Sequence, residues 1–185
     1  AISHANDWLV VMPIFFEGRI VGWASMFGHM SDVGGKTPAS MPTDARTIFE
    51  EGVVIPPFTL YKKGQLDDDA LRIILNQVRK PDWNRADLNG IVAACRTASR
   101  RVQEMCARFG VDTYTSALDA LLDRNYRAMK TLLQMVFTDG ETISFTDYIC
   151  DDGVGYGPYE LRLSLTRTGD KVVLDDVTLS FLHGA

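Results

Sequence analysis

The sequence is poor in cysteine and in long apolar runs, and each shortage excludes a class of protein. Its 185 residues include only three cysteines, Cys95, Cys106 and Cys150, whose spacings match neither a zinc ribbon nor a CxxC redox motif. Cys95 and Cys106 fall on the apolar face of a helical pattern, so we expect small core residues in a reducing cytoplasm. The uncharged runs are too short and too polar to cross a bilayer, and the first residues lack the pattern of a signal peptide.

Positive charge is also scarce. The chain has 19 Lys and Arg against 24 Asp and Glu, a net charge of −5, which argues against general affinity for a nucleic-acid backbone. Neither a G-x-S-x-G nucleophile elbow nor a Walker A loop is present. With 46% hydrophobic and 23% charged residues, the composition still predicts a folded protein of about one domain.

The N-terminal third predicts a β-hairpin followed by a loop. Two β-rich runs, at 8–16 and 19–27, flank Glu17-Gly18, and a two-residue separation with Gly second is typical of a tight hairpin turn. Residues 28–46 are rich in Gly, Pro, Ser, Thr and Asp, which predicts a loop.

Helices and then further strands are predicted downstream. Apolar residues recur at helical spacing from Leu88 to Phe109 and from Leu118 to Val136, so we expect two helices packed as an antiparallel pair. The C-terminal third alternates apolar and polar residues, which predicts a β-meander. The order predicts an α+β fold, with a hairpin and loop segment at residues 1–65, a helical segment at 66–140 and C-terminal strands at 141–185.

Two of the three histidines occur in the same short pattern. His4-Ala-Asn-Asp7 and His29-Met-Ser-Asp32 are both H-x-x-D, and imidazole with carboxylate suits a divalent ion such as Zn, Mn or Fe. A single H-x-x-D is weak evidence. Two of them favour a metal site formed by His4, Asp7, His29 and Asp32, and the alternative is two surface histidines with neighbouring acids.

The hairpin register strengthens the metal-site hypothesis. If Glu17-Gly18 is a two-residue turn, Asp7 lies opposite Gly28 and Asn6 lies opposite His29. Directly opposed Cβ atoms are about 4.5–5.5 Å apart. Both motifs would then meet at the open end of one hairpin, where their side chains can share an ion.

A glycine pair follows the second histidine motif. Gly34-Gly35 allows backbone N–H groups to turn toward a ligand, and Lys36 adds a mobile cation. Gly34, Gly35 and Lys36 therefore form a candidate oxyanion- or phosphate-binding site. The alternative is an ordinary Gly-Gly turn.

Several motifs together resemble the hydantoinase B/5-oxoprolinase family over most of the chain. They are, in chain order, His4-Ala-Asn-Asp7, Pro13-Ile-Phe-Phe16, Glu17-Gly-Arg-Ile-Val-Gly22, His29-Met-Ser-Asp-Val-Gly-Gly35, Pro38-Ala-Ser-Met-Pro42, Ile48-Phe-Glu-Glu-Gly-Val-Val-Ile-Pro-Pro57 and Asp151-Asp-Gly-Val-Gly155.

The resemblance implies a metal-containing B-type subunit in a hetero-oligomer. Its partner would be a hydantoinase A-type subunit that binds ATP with Mg and phosphorylates the small-molecule substrate. His4, Asp7, His29 and Asp32 match the family's metal-site motifs, and Met30 stands where many relatives have a second histidine. The family chain is several-fold longer, so we expect these residues to be a portion of a longer subunit.

Three functions follow as hypotheses. The first is hydrolysis of a cyclic amide such as hydantoin or 5-oxoproline after its activation by ATP. The second, from the same family, is ATP-dependent carboxylation of a ketone such as acetone or acetophenone. The third is a non-catalytic assembly module with a structural metal.

Overall fold

The computed structural model describes the backbone of residues 4–181 and the side chains of residues 4–174. It contains helices and antiparallel sheets, so the predicted α+β class is confirmed. The chain divides into two compact units, residues up to 111 and residues from 112 onward. The elements are β1 (Asp7–Phe16), β2 (Arg19–His29), α1 (Ile48–Glu51), β3 (Tyr61–Lys62), β4 (Gln65–Leu66), α2 (Asp68–Leu75), α3 (Pro81–Phe109), α4 (Val111–Val136), β5 (Thr142–Ile149), β6 (Tyr159–Thr168) and β7 (Lys171–Phe181).

The predicted hairpin is confirmed, and its turn is tight. Glu17 and Gly18 join β1 to β2 with φ angles of 48° and 77°. Positive φ at both central residues is the geometry of a type I′ turn, whose twist matches that of the flanking strands.

A β-bulge near this turn corrects the predicted register. Phe15 pairs with Ile20, whereas Ile14 pairs with Gly22, so Val21 has no partner of its own. The extra residue shifts every later pair by one position. Asp7 therefore lies opposite His29, not opposite Gly28 as the uninterrupted ladder predicts.

One face of the hairpin packs on α3. Trp8 and Ile14 of β1 are buried, as are Leu88, Ile91 and Cys95 of α3, in agreement with the apolar stripe predicted from Leu88. Pro81 stands at the first turn of α3, where a missing N–H costs no hydrogen bond. The core around Trp8 is completed by Met30, Val33, Leu71, Leu75, Val78 and Val92.

The second unit contains α4 and the predicted meander. Its strands pair antiparallel in the order β5-β6-β7. The end of α4 is joined to the β6–β7 turn by Arg167, which donates to the Phe137 carbonyl at 2.7 Å, and by an ion pair of Lys130 with Asp170. Since α3 and α4 belong to different units, their antiparallel packing stays a prediction.

Two of the three cysteines are buried, as their positions on the apolar face of the predicted helix indicate. Cys95 and Cys106 are buried free thiols, and Cys150 is exposed. Burial raises the pKa of the Cys95 thiol, as expected for an inert core residue. In the part of the chain that the structure describes, no helix combines the length and apolar character needed to cross a bilayer.

Candidate metal centre

Three of the four predicted ligands converge at the open end of the hairpin. His4 precedes β1, Asp7 is its first residue, and His29 is the last residue of β2. Asp7 Oδ1 lies 3.3 Å from His29 Nδ1, and Asp7 Oδ2 lies 3.8 Å from His4 Nε2. One ligand atom from each residue lies within 4.8 Å of the other two.

The chemistry of this cluster fits a divalent ion. Two imidazoles and one carboxylate are a donor set that Zn, Mn and Fe accept. The His4 and His29 ring centroids are 4.9 Å apart in an edge arrangement. His4 Nε2 is the ring nitrogen that lies beside Asp7, whereas His4 Nδ1 is buried without a hydrogen-bond partner among the described residues.

Exposure differs between the three residues. The side chains of His4 and Asp7 are 25% and 20% exposed, whereas that of His29 is 48% exposed. Within the part of the chain that the structure describes, the cluster is therefore open to solvent on the side of His29. Three protein ligands with an open side are typical of a catalytic rather than a structural metal site.

The structure does not bring Asp32 to the other three predicted ligands. Its carboxylate, 5% exposed, accepts from the backbone N–H of Gly34 at 2.9 Å and of Ala39 at 2.8 Å, and from the Arg79 guanidinium at 2.9 Å. Burial alone raises the pKa of Asp32, but these hydrogen bonds outweigh it and hold the pKa below its usual value. Asp32 is thus a buried anion whose oxygens already have partners within the chain.

Gly34 and Gly35, predicted as part of a phosphate site, have backbone groups with partners inside the chain. The N–H of Gly34 donates to Asp32, and the carbonyl of Gly35 accepts from Arg79. A Cβ on Gly34 would lie 2.7 Å from the Gln77 carbonyl oxygen, and one on Gly35 would lie 2.6 Å from that of Glu50. Both glycines are required because backbone from elsewhere in the chain packs directly against them.

Lys36, the cation of the predicted phosphate site, is paired within the chain. Its Nζ lies 2.7 Å from Glu50 Oε2 and 3.0 Å from Asp44 Oδ1. Hydrogen bonds to Glu50 and Asp44 raise the pKa of Lys36. Two carboxylates therefore compensate its charge, which leaves little attraction for a phosphate.

Sequence reasoning missed Asn6, which joins the two histidine motifs. Asn6 is fully buried, and its Nδ2 donates to the carbonyls of Met30 and Ala39, each at 3.0 Å. The Met30 N–H donates back to the Asn6 carbonyl at 2.8 Å. The sequence carried one signal for this role. Asn6 lies two residues before Trp8, so in an extended segment its side chain points to the same buried face as that of Trp8.

Comparisons with known proteins agree with the motifs. A family model described as hydantoinase B/oxoprolinase matches residues 1–178. The chain is 34% identical to caprolactamase subunit beta of Pseudomonas jessenii over 91% of this chain and 29% of that protein. It is 29% identical to the acetophenone carboxylase delta subunit of Aromatoleum aromaticum, over 93% of this chain and 25% of that subunit.

A comparison with solved structures finds a similar fold in one of the same relatives. The ATP-dependent caprolactamase of Pseudomonas jessenii superposes with a TM-score of 0.81 and 30% identity, over 93% of this chain and 29% of that one. The chain spans less than a third of the length of the relatives described. The match of the family model to nearly all of the sequence is decisive: the chain belongs to the hydantoinase B/oxoprolinase family.

Proposed function

We propose that this chain forms the metal-binding part of the B-type subunit of an ATP-dependent cyclic amide hydrolase. The observation that carries the proposal is the convergence of His4, Asp7 and His29 at one end of a hairpin, in a member of this family. A divalent ion, when bound, supplies Lewis acidity or lowers the pKa of a water molecule.

The chain's own residues would bind and orient this ion. His4 and His29 would each supply an imidazole nitrogen, and Asp7 would supply a carboxylate whose oxygens lie 3.3 Å and 3.8 Å from the two rings. Because His29 is the most exposed of the three, the substrate would approach from its side.

Activation of the amide requires a partner. Relatives described as subunit beta and delta support a hetero-oligomer, in which we place a hydantoinase A-type subunit that binds ATP with Mg and phosphorylates the substrate. Within the described residues, Leu9, Trp23 and Phe27 lie half exposed or more on the outer face of the hairpin. An apolar patch of this kind supports burial in a larger assembly.

The two buried free thiols support a reducing compartment, the cytoplasm.

We infer the substrate class from the sequence identity of this chain to relatives of each kind. Identity is 34% to a caprolactamase subunit, 29% both to a 5-oxoprolinase and to an acetophenone carboxylase subunit, and 26% to a putative hydantoinase subunit. The highest of these four values favours a cyclic amide, with a lactam ahead of hydantoin or 5-oxoproline. The ketone carboxylase is the second candidate, since its subunit aligns over a similar share of this chain.

A structural metal in a non-catalytic assembly module is less well supported. Such sites are closed by four protein ligands, whereas the described cluster offers three and is open beside His29.

The test is phosphate release by the assembled enzyme with ATP and each substrate class, with and without bicarbonate. We expect phosphate and a ring-opened product from a cyclic amide, independent of bicarbonate. Phosphate release that requires both a ketone and bicarbonate would contradict the hydrolase and establish the carboxylase. Full activity in a metal-free sample that remains assembled would instead favour the assembly module.

A further inference from the structure

We propose that Asp32 and Arg79 are positioning residues, which fix the loop at residues 30–40 against the ligand-bearing end of the hairpin and so set the geometry of the metal ligands. This inference rests on the proposed metal site. It assigns Asp32, the fourth residue of the paired H-x-x-D motifs, a role other than ligation.

The Asp32–Arg79 pair is the centre of the arrangement. Arg79 Nη1 lies 3.0 Å and 2.9 Å from the two carboxylate oxygens of Asp32. The positive charge of Arg79 beside this carboxylate opposes the binding of a cation there. An anion held by arginine and by backbone N–H groups is well suited to a fixed structural position.

Arg79 also holds the loop directly. Its guanidinium donates to the carbonyls of Gly34 and Thr37, each at 3.1 Å, and to that of Gly35. One planar guanidinium therefore binds several carbonyl groups of the same short loop. The substitution Arg79→Lys would keep the positive charge, but an ammonium group lacks the fixed planar arrangement of N–H donors in a guanidinium.

A second contact fixes the loop from α3. Asn84 is fully buried and its Nδ2 donates to the Asp32 carbonyl at 2.6 Å. Asp32 is therefore held through both its side chain and its backbone.

Asn6 connects this loop to the ligands. Ala39 donates its N–H to Asp32 and accepts from Asn6 Nδ2 through its carbonyl. Asn6 precedes Asp7, and it exchanges hydrogen bonds with Met30, which follows His29. Hydrogen bonds, linked by the backbone of Ala39 and by Asn6 itself, thus connect Arg79 and Asp32 to the backbone beside two ligands.

The test is Co²⁺ binding to the assembled enzyme, followed by visible absorption and by competition with a chelator. The variants are Arg79→Lys and Asp32→Asn. Arg85→Gln is the matched control, because it removes another arginine–aspartate pair, with Asp68 at 3.2 Å, that does not contact the loop. Ile14→Ala, a buried change in a core cluster that contains no residue of the loop, serves as a control for destabilisation alone.

We expect Arg79→Lys and Asp32→Asn to weaken Co²⁺ binding by about 10–100-fold and to alter the Co²⁺ absorption spectrum, as loss of residues that orient ligands does. Ile14→Ala should lower the melting temperature by at least as much as these two variants do, yet keep the Co²⁺ affinity within about threefold of wild type. Arg85→Gln should change neither the Co²⁺ affinity nor the absorption spectrum.

Two results would overturn the inference. One is wild-type affinity and spectrum in both Arg79→Lys and Asp32→Asn. The other is an equal loss of affinity in Ile14→Ala, which would reduce the role of the pair to stability. Failure of the wild-type enzyme to bind Co²⁺ would refute the proposed metal site itself, together with this inference.

Discussion

Asp7 and His29 are direct cross-strand partners, with Asp7 Oδ1 3.3 Å from His29 Nδ1. The bulge at Val21 creates this pairing. In an uninterrupted ladder Asp7 would lie opposite Gly28, and a shift of one residue turns a side chain to the other face of a strand pair. The bulge therefore brings the two side chains to the same face, as bulges near functional sites often do.

Asn6→Ala tests the connection between the two histidine motifs. The substitution removes the amide that donates to Met30 and Ala39 and leaves their carbonyls without this donor. We expect the free energy of unfolding to fall by about 1–3 kcal/mol, the cost of unsatisfied buried polar groups, measured by urea denaturation.

The matched control for Asn6 is Gln103→Ala. Its exposed side-chain amide donates to the Phe15 carbonyl of the same hairpin at 2.8 Å, where water can replace it. We expect a loss below about 0.5 kcal/mol. Equal losses in the two variants would contradict the assigned role of Asn6.

Gly35→Ala tests the close packing of the glycine loop. Gly35 has φ of 79° and no room for a Cβ, whereas Gly64 has φ of 80° and nothing within 4 Å of a Cβ. Gly64→Ala therefore measures the conformational strain alone, about 1–2 kcal/mol. Gly35→Ala should be clearly less stable in urea than Gly64→Ala, because backbone atoms must also move. Similar stability of the two variants would show that the loop is not packed as described.

Lys36→Gln tests the phosphate-site hypothesis against the observed ion pairs. Because Glu50 and Asp44 already pair with Lys36, we expect the KM for ATP and the rate of phosphate release to stay within about twofold of wild type. Lys62→Gln, which removes another exposed pair, is the control. A large, selective loss of phosphate release in Lys36→Gln would restore Lys36 to an oxyanion site.

Asp32 should contribute a pH-dependent part of the stability. Since its pKa is lower in the folded chain than the usual value near 3.8, the folded state favours the ionised form. This stabilisation is present above pH 3.8 and is lost as the pH falls through the lower folded value. Urea denaturation across this window should show wild type exceeding Asp32→Asn in stability at neutral pH, with the difference shrinking in acid. A difference that does not change with pH would contradict this account.

The residues of the candidate site were predictable where the signal is local. The tight turn at Glu17-Gly18 and the two H-x-x-D motifs lie close together in the chain, so the pairing of strands brings His4, Asp7 and His29 together. The bulge at Val21 has no sequence signature, because one additional apolar residue in a β-rich run looks like a continuation of the strand.

The role of Asp32 could not be predicted for a different reason. Its partner Arg79 is 47 residues further along the chain, after α2, and one arginine among many exposed ones carries no signal of such a contact. A spacing pattern identifies residue types suited to a metal, but the neighbours that compete for a carboxylate depend on tertiary packing.

The metal content of the assembled enzyme, in wild type and in His29→Ala, tests the central claim most directly. Elemental analysis by mass spectrometry after exhaustive dialysis should find about one divalent ion per copy of this chain in wild type, as a His and carboxylate cluster of this kind predicts. His29→Ala should lose the ion and the turnover of cyclic amide together while it remains assembled. Absence of a stoichiometric ion in wild type, or full retention of ion and turnover in His29→Ala, would contradict the account.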